Sequence, residues 1–247
     1  MMITIRQIAT GMAMFGALLL PSTVAWADYP AGKKAYDSGD YATALKEWRA
    51  SAGTGDMNSV DGLGSLYLQG KGVKRDYAEA FRLFSQAAEK GSANAEHNLA
   101  VMYYEGYGRA PDYAEAVRLY AKASQQGHRR APQNLGAMYY TGTGVPVDKA
   151  EAAKWYRVGA ENGRGYSAYA LGYAYAHGEG VKVDLVEARM FLRIARLLIV
   201  DDMPGEDGVE TGIDAEVAAL EKRMTAAQIK EAKMRVIEWE ERYPRSR

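Results

Sequence analysis

The residues whose types and spacing invite a chemical reading are three histidines, a recurring Gly-x-Gly and two acidic doublets. His97, His128 and His177 stand at different phases of the chain, no two at the spacing of a metal pair, and there is no cysteine to complete a zinc or iron site. Gly70-Lys71-Gly72, Gly106-Tyr107-Gly108, Gly142-Thr143-Gly144 and Gly178-Glu179-Gly180 are too short for a dinucleotide fingerprint and lack the Lys-Ser/Thr that follows a phosphate loop. Asp201-Asp202 and Glu206-Asp207 lie in a Gly/Pro-bearing stretch, which does not fix two carboxylates across a scissile bond. No serine sits in a nucleophile elbow. The residue types therefore imply no catalytic, cofactor-binding or metal-ligating set, and no cofactor.

The glycines make sense as punctuation. Gly70, Gly106, Gly142 and Gly178 fall at one phase and Gly72, Gly108, Gly144 and Gly180 two residues later, a period of 36. The same period aligns Leu63, Leu99, Leu135 and Leu171, then Tyr67, Tyr103, Tyr139 and Tyr175, then Asp76, Asp112, Asp148 and Asp184. Each period reads as two helices. The first spans about 58–69, 94–105, 130–141 and 166–177, with a small residue four before the leucine and the tyrosine four after it on one face. The second spans about 76–90, 112–126, 148–162 and 184–200. The aspartates cap it, and Glu79, Glu115, Glu151 and Glu187 stand where capping-box partners belong. The leucines and tyrosines are expected in the core. One hairpin cannot bury its apolar stripe, whereas a stack of hairpins can, so the expected fold is an all-α solenoid of antiparallel helix hairpins.

The flanks divide the chain further. Residues 1–27 read as a signal peptide: Arg6, an apolar run from Ile8 to Leu20, and Ala25-Trp26-Ala27 before a cut at Asp28. The expected location is periplasmic or secreted, with no membrane anchor after cleavage. Removing these residues takes away only Arg6 among the charged groups and leaves a formal charge of −1, which argues against generic attraction to nucleic acid. Residues 28–57 read as an opening half-repeat, with Asp40-Tyr41-Ala42 one period before Asp76-Tyr77-Ala78. The array occupies 58–200, an acidic loop 201–213, and capping helices 214–247 with a capping box at Thr225 and Gln228.

Asn98-Leu99-Ala100, Tyr103, Gly106-x-Gly108, Asp112-Tyr113, Ala116 and Leu119-Tyr120, repeated from Asn134-Leu135-Gly136 to Trp155-Tyr156, resemble the Sel-one-like repeat family, glycine-marked relatives of the tetratricopeptide repeats. The copy at 166–199 departs from the pattern, with Ala170 in place of the asparagine and Phe191-Leu192 in place of the aromatic pair. The resemblance implies a right-handed superhelix that serves as a scaffold for protein complexes, often in exported or envelope proteins, and names no partner.

The partner expected is an unidentified protein or peptide, held along the first helices. Positions two before and two after each leucine are the candidates: Asp61 and Ser65, His97 and Val101, Gln133 and Ala137, Tyr169 and Tyr173. The next turn adds Leu68, Tyr104 and Tyr140, a broken aromatic ladder with hydrogen-bonding tips. The alternative is a structural envelope protein binding peptidoglycan or another polysaccharide through its tyrosines; an enzyme or small-molecule binder is a further one. Monomer and dimer are both open.

Overall fold

A computed structural model describes residues 29–202 and 207–244, with the side chains of 200–202 and 207–211 outside that description. The expected signal peptide and its cleavage site lie outside the described residues, as do residues 203–206 of the expected acidic loop. All regular structure among the described residues is helical: α1 (Tyr29–Asp37), α2 (Tyr41–Gly53), α3 (Met57–Gln69), α4 (Tyr77–Glu89), α5 (Ala93–Glu105), α6 (Tyr113–Gln125), α7 (Ala131–Thr141), α8 (Lys149–Glu161), α9 (Gly165–His177), α10 (Leu185–Asp202), α11 (Asp207–Glu221) and α12 (Ala226–Arg242). Successive helices pair into hairpins that stack from α1–α2 to α9–α10, and α11 and α12 close the end against α10. None of the described helices is long and apolar enough to cross a membrane.

Each hairpin is fastened by its periodic residues. Gly70, Gly106, Gly142 and Gly178 end the first helix in the left-handed conformation. The aspartates then begin the second: Asp76 accepts from the N–H groups of Ala78 and Glu79, Asp112 from Glu115, Asp148 from Glu151, and Asp184 from Val186 and Glu187. Their own N–H groups donate to the carbonyls of Tyr67, Tyr103, Tyr139 and Tyr175, so the same backbone bond closes these four turns. The capping-box expectation fails at Glu79, Glu115 and Glu151. These carboxylates turn outward to Arg82, Arg118 and Lys154, because a cation three residues on offers an ion pair on the solvent side. The capping box at Thr225 and Gln228 forms as expected.

The second glycine of each pair works between hairpins. A Cβ on Gly144 would lie 2.5 Å from the carbonyl oxygen of Tyr113, and one on Gly180 2.2 Å from that of Lys149. The turn of one hairpin thus rests on the opening residues of the previous hairpin's second helix, an approach that only a residue without a side chain allows.

The core is continuous along the stack, with Tyr139 packed against both of its halves. Leu99 and Leu135 are buried. Tyr103 and Tyr139 are only partly buried, and the fully enclosed neighbours are Met102 and Met138. Three residues past the leucine points into the hairpin; four past it carries the phenol to the rim, where Arg109 lies over the Tyr103 ring at 4.9 Å. Within hairpins a small residue faces an aromatic: a Cβ on Gly64 would sit 2.6 Å from Phe84, and one on Gly136 2.8 Å from Tyr156.

The acidic-loop expectation is corrected in part, since α10 continues to Asp202 and α11 begins at Asp207. An apolar stripe decides it: Ile213, Val217 and Leu220 recur at helical spacing and are buried on the core side. Ion pairs add to the dock, Asp214 with Arg193 at 2.9 Å and Arg196 at 2.7 Å, and Glu221 with Arg189 at 2.6 Å. The Trp239 ring of α12 meets Phe191 edge-on at 5.4 Å, so the last helix covers the last hairpin.

Candidate functional site

The first helices carry two adjoining cavities. The larger, about 640 Å³, lies where the start of α5 meets the α6–α7 and α8–α9 turns and the side of α3. Its wall combines Asn94 and His97 with Asp61 and the cations Arg129, Arg130 and Arg164. The smaller, about 260 Å³, lies between α5 and α7 and is lined by Val101, Tyr104, Ala137 and Met138, with Glu105 and Thr141 among its polar groups.

Hydrogen bonds between neighbouring hairpins hold this surface in shape. Asn98 donates to Asp61 at 2.9 Å, and one period later Asn134 donates to Nε2 of His97 at 3.4 Å. The motif asparagine before the leucine is therefore a rung between first helices. His97 stacks on His128 with ring centroids 4.2 Å apart, and Nδ1 of His128 accepts from the N–H of Ala131 at 3.1 Å. His128 thus caps α7, whose N-cap residue Arg130 makes no side-chain cap bond. Arg129 donates to the carbonyl of Asn162 at 3.2 Å and Arg164 to Gln133 at 3.4 Å, which ties two of the cations to the adjacent hairpins. Beneath them Gln126 donates to the fully buried Glu96, whose carboxylate also pairs with Lys122 at 2.7 Å.

The electrostatics favour binding an anionic group at the cations. Burial, followed by the charges of neighbouring His128 and Arg130, pulls His97 down to about 3. Burial and then Arg130 pull His128 down to about 4. Both rings are neutral at pH 7. Burial pushes Asp61 up to about 6, with the Asn98 amide opposing the rise. Above that pH, the three arginines and Asp61 leave the lining with a net charge of +2. Among the described residues, no group of three or more His, Cys, Asp or Glu is placed to hold a metal ion.

The eleven candidate positions divide. Asp61 and His97 line the first cavity, Val101, Tyr104 and Ala137 the second, and Gln133 holds Arg164. Ser65, Leu68, Tyr140, Tyr169 and Tyr173 line neither. The Tyr140 phenol donates to Glu179 at 2.7 Å, Tyr173 stacks on His177 at 4.1 Å, and Tyr169 faces Glu216 of α11. Sequence reasoning missed the arginines and the meeting of His97 with His128. Arg129-Arg130 follows a helix-closing glycine, a position that reads as a solvated turn until the neighbouring hairpin is in place.

A model of the Sel1 repeat matches residues 62–92, 93–128, 133–163 and 165–198. The chain belongs to the Sel1 repeat family. Its first and fourth matches carry Gly62 and Ala170 where the middle two carry Asn98 and Asn134, so the family pattern does not depend on that rung. Sel1 repeats generally mediate protein–protein interaction, and their solenoids are typically non-catalytic.

The fold is similar to that of a protective antigen of uropathogenic Escherichia coli strains displaying an SLR fold, at 28% identity and a TM-score of 0.71 over 87% of this chain. The chain spans 45% of the length of that antigen. A Sel1 repeat protein from Oxalobacter formigenes is 27% identical with a TM-score of 0.63, over 82% of this chain and 88% of the other. A sel1 repeat protein from Klebsiella pneumoniae shares the fold at 24% identity and a TM-score of 0.51, over 78% and 91%. Among curated proteins no sequence matches.

Proposed function

We propose that this Sel1 repeat protein is an exported, non-catalytic interaction scaffold, an adaptor in an envelope-associated process, which holds a segment of a partner protein along its first helices. The observation that carries the reading is the pair of adjoining cavities on α5 and α7, built from side chains whose geometry is fixed between hairpins. A groove of this kind offers donors, cations and an apolar recess at set positions, as recognition of a peptide requires. Export rests on the Met1–Ala27 pattern alone, and intact-mass measurement on fractionated cells tests it, with loss of residues 1–27 as the expected result.

The test of the scaffold reading is affinity capture from an envelope extract followed by mass spectrometry, run in parallel with Ala137→Trp, which fills the smaller cavity. A protein retained by the parent and lost by the folded variant supports the reading; equal retention by both counts against it. The glycan alternative draws on the exposed rings of Tyr104, Tyr113 and Tyr166. Retention of purified peptidoglycan fragments in place of a protein would favour it.

A further inference from the structure

The two cavities differ in chemistry and lie in sequence along one helix. α5 contributes Ala93, Asn94, His97 and Asn98 to the first and Val101, Tyr104 and Glu105 to the second. Their centres along α5 are thus about 11 Å apart at about 1.5 Å of rise per residue. An extended chain covers that distance in about three or four residues at about 3.3 Å each. The first cavity presents Arg129, Arg130 and Arg164, while the second presents aliphatic carbon and the Tyr104 ring.

Resting on the scaffold reading, we propose that the groove reads two features of one extended protein segment: an acidic side chain among the arginines, and an apolar side chain three or four residues away between α5 and α7. Guanidinium groups pair with a carboxylate through parallel N–H donors, and Arg129 and Arg164 are already anchored by their bonds to Asn162 and Gln133, so less freedom is lost on binding. The flanking charges select against a polyanion. Asp61 lines the first cavity and Glu105 the second, so a backbone with a phosphate at every step meets a carboxylate in each. A single carboxylate in the first cavity meets three arginines against the one carboxylate of Asp61, and an apolar side chain in the second carries no charge for Glu105 to repel. The Asn134–His97 rung lies between the cavities, with Asn134 lining the second and His97 the first.

The test is an array of synthetic peptides in a Gly-Ser background, each with one Glu and one Phe separated by one to seven positions, probed with the labelled full chain and followed by fluorescence anisotropy on the best sequences. Binding is expected to peak at a separation of three or four and to fall about tenfold or more when Glu is replaced by Gln. It should fall similarly for Arg129→Ala/Arg130→Ala, and for Arg130→Ala alone, which spares the Arg129–Asn162 bond. Circular dichroism verifies each variant's fold. Binding that ignores the Glu or the spacing would overturn the proposal, and so would an array with no peptide bound at millimolar concentration. The captured partner separates the two levels. If Ala137→Trp abolishes its binding while the arginine variants leave it unchanged, the acidic anchor is wrong and the groove stands; if neither variant matters, both readings fail.

Discussion

At the scale of single residues, the repeat phases sort the leucines into the core and leave the tyrosines at its rim. Leu135 is fully enclosed between hairpins, so Leu135→Ala should cost about 2–5 kcal/mol through lost transfer energy and the cavity left behind. Urea unfolding within about 0.5 kcal/mol of the parent would contradict this. The groove residues make a prediction of opposite signs. His97 and His128 have folded pKa values below the ordinary 6.5, so their stabilisation is complete above pH 6.5 and is lost as pH falls towards about 3 and 4. Asp61 is raised from 3.8 to about 6, so the unfolded chain gives up its proton first and stability falls as pH rises through that window. Asp61→Asn should therefore be more stable than the parent above pH 6 and gain nothing below pH 3.8, while His128→Gln should weaken the parent's acid sensitivity below 6.5. Thermal unfolding across pH 3–8 reads both. Leu99 and Leu135 were legible from spacing because a buried leucine has one environment. The half-buried Tyr103 was not, since a phenol packs its ring while its hydroxyl reaches water.

At the scale of elements, the turns carry as much of the fold as the helices. The sequence marked the helix boundaries well because glycine and aspartate act locally: one supplies the left-handed closing residue and the other the cap. It did not reveal why a second glycine follows two residues later, since that reason lies on another hairpin. Gly144 and Gly91 separate the two roles. Both have positive φ, 75° and 83°, but Gly91 has open space around it, whereas a Cβ on Gly144 meets the Tyr113 backbone. Gly91→Ala should cost about 1–2 kcal/mol of backbone strain, and Gly144→Ala clearly more. Equal losses of unfolding free energy would show that the turn does not press on its neighbour. The start of α11 was illegible for a different reason. Asp207 to Gly212 is acidic and glycine-bearing, and its helix is decided by Ile213, Val217 and Leu220 docking on the core side.

At the scale of the molecule, the stack makes its surface by repetition and its site by variation. The asparagine rungs at Asn98 and Asn134 recur, but what they hold differs: Asp61 in one case and His97 in the other. Where the turns after the third and fourth hairpins bring Arg129, Arg130 and Arg164 beside α5, a cationic cavity forms. A single-sequence reading placed the groove on the first helices, and five of its eleven positions line the cavities; the arginines escaped it because they come together only when turns from different hairpins stack. The claim that binding uses this face is tested most directly by site-specific photo-crosslinking to the captured partner, with benzoylphenylalanine placed in turn at Tyr104, Arg130, Arg82 and Arg118. The last two lie exposed on α4 and α6. The account predicts crosslinks from Tyr104 and Arg130 and none from Arg82 or Arg118; crosslinks confined to Arg82 and Arg118 would contradict it.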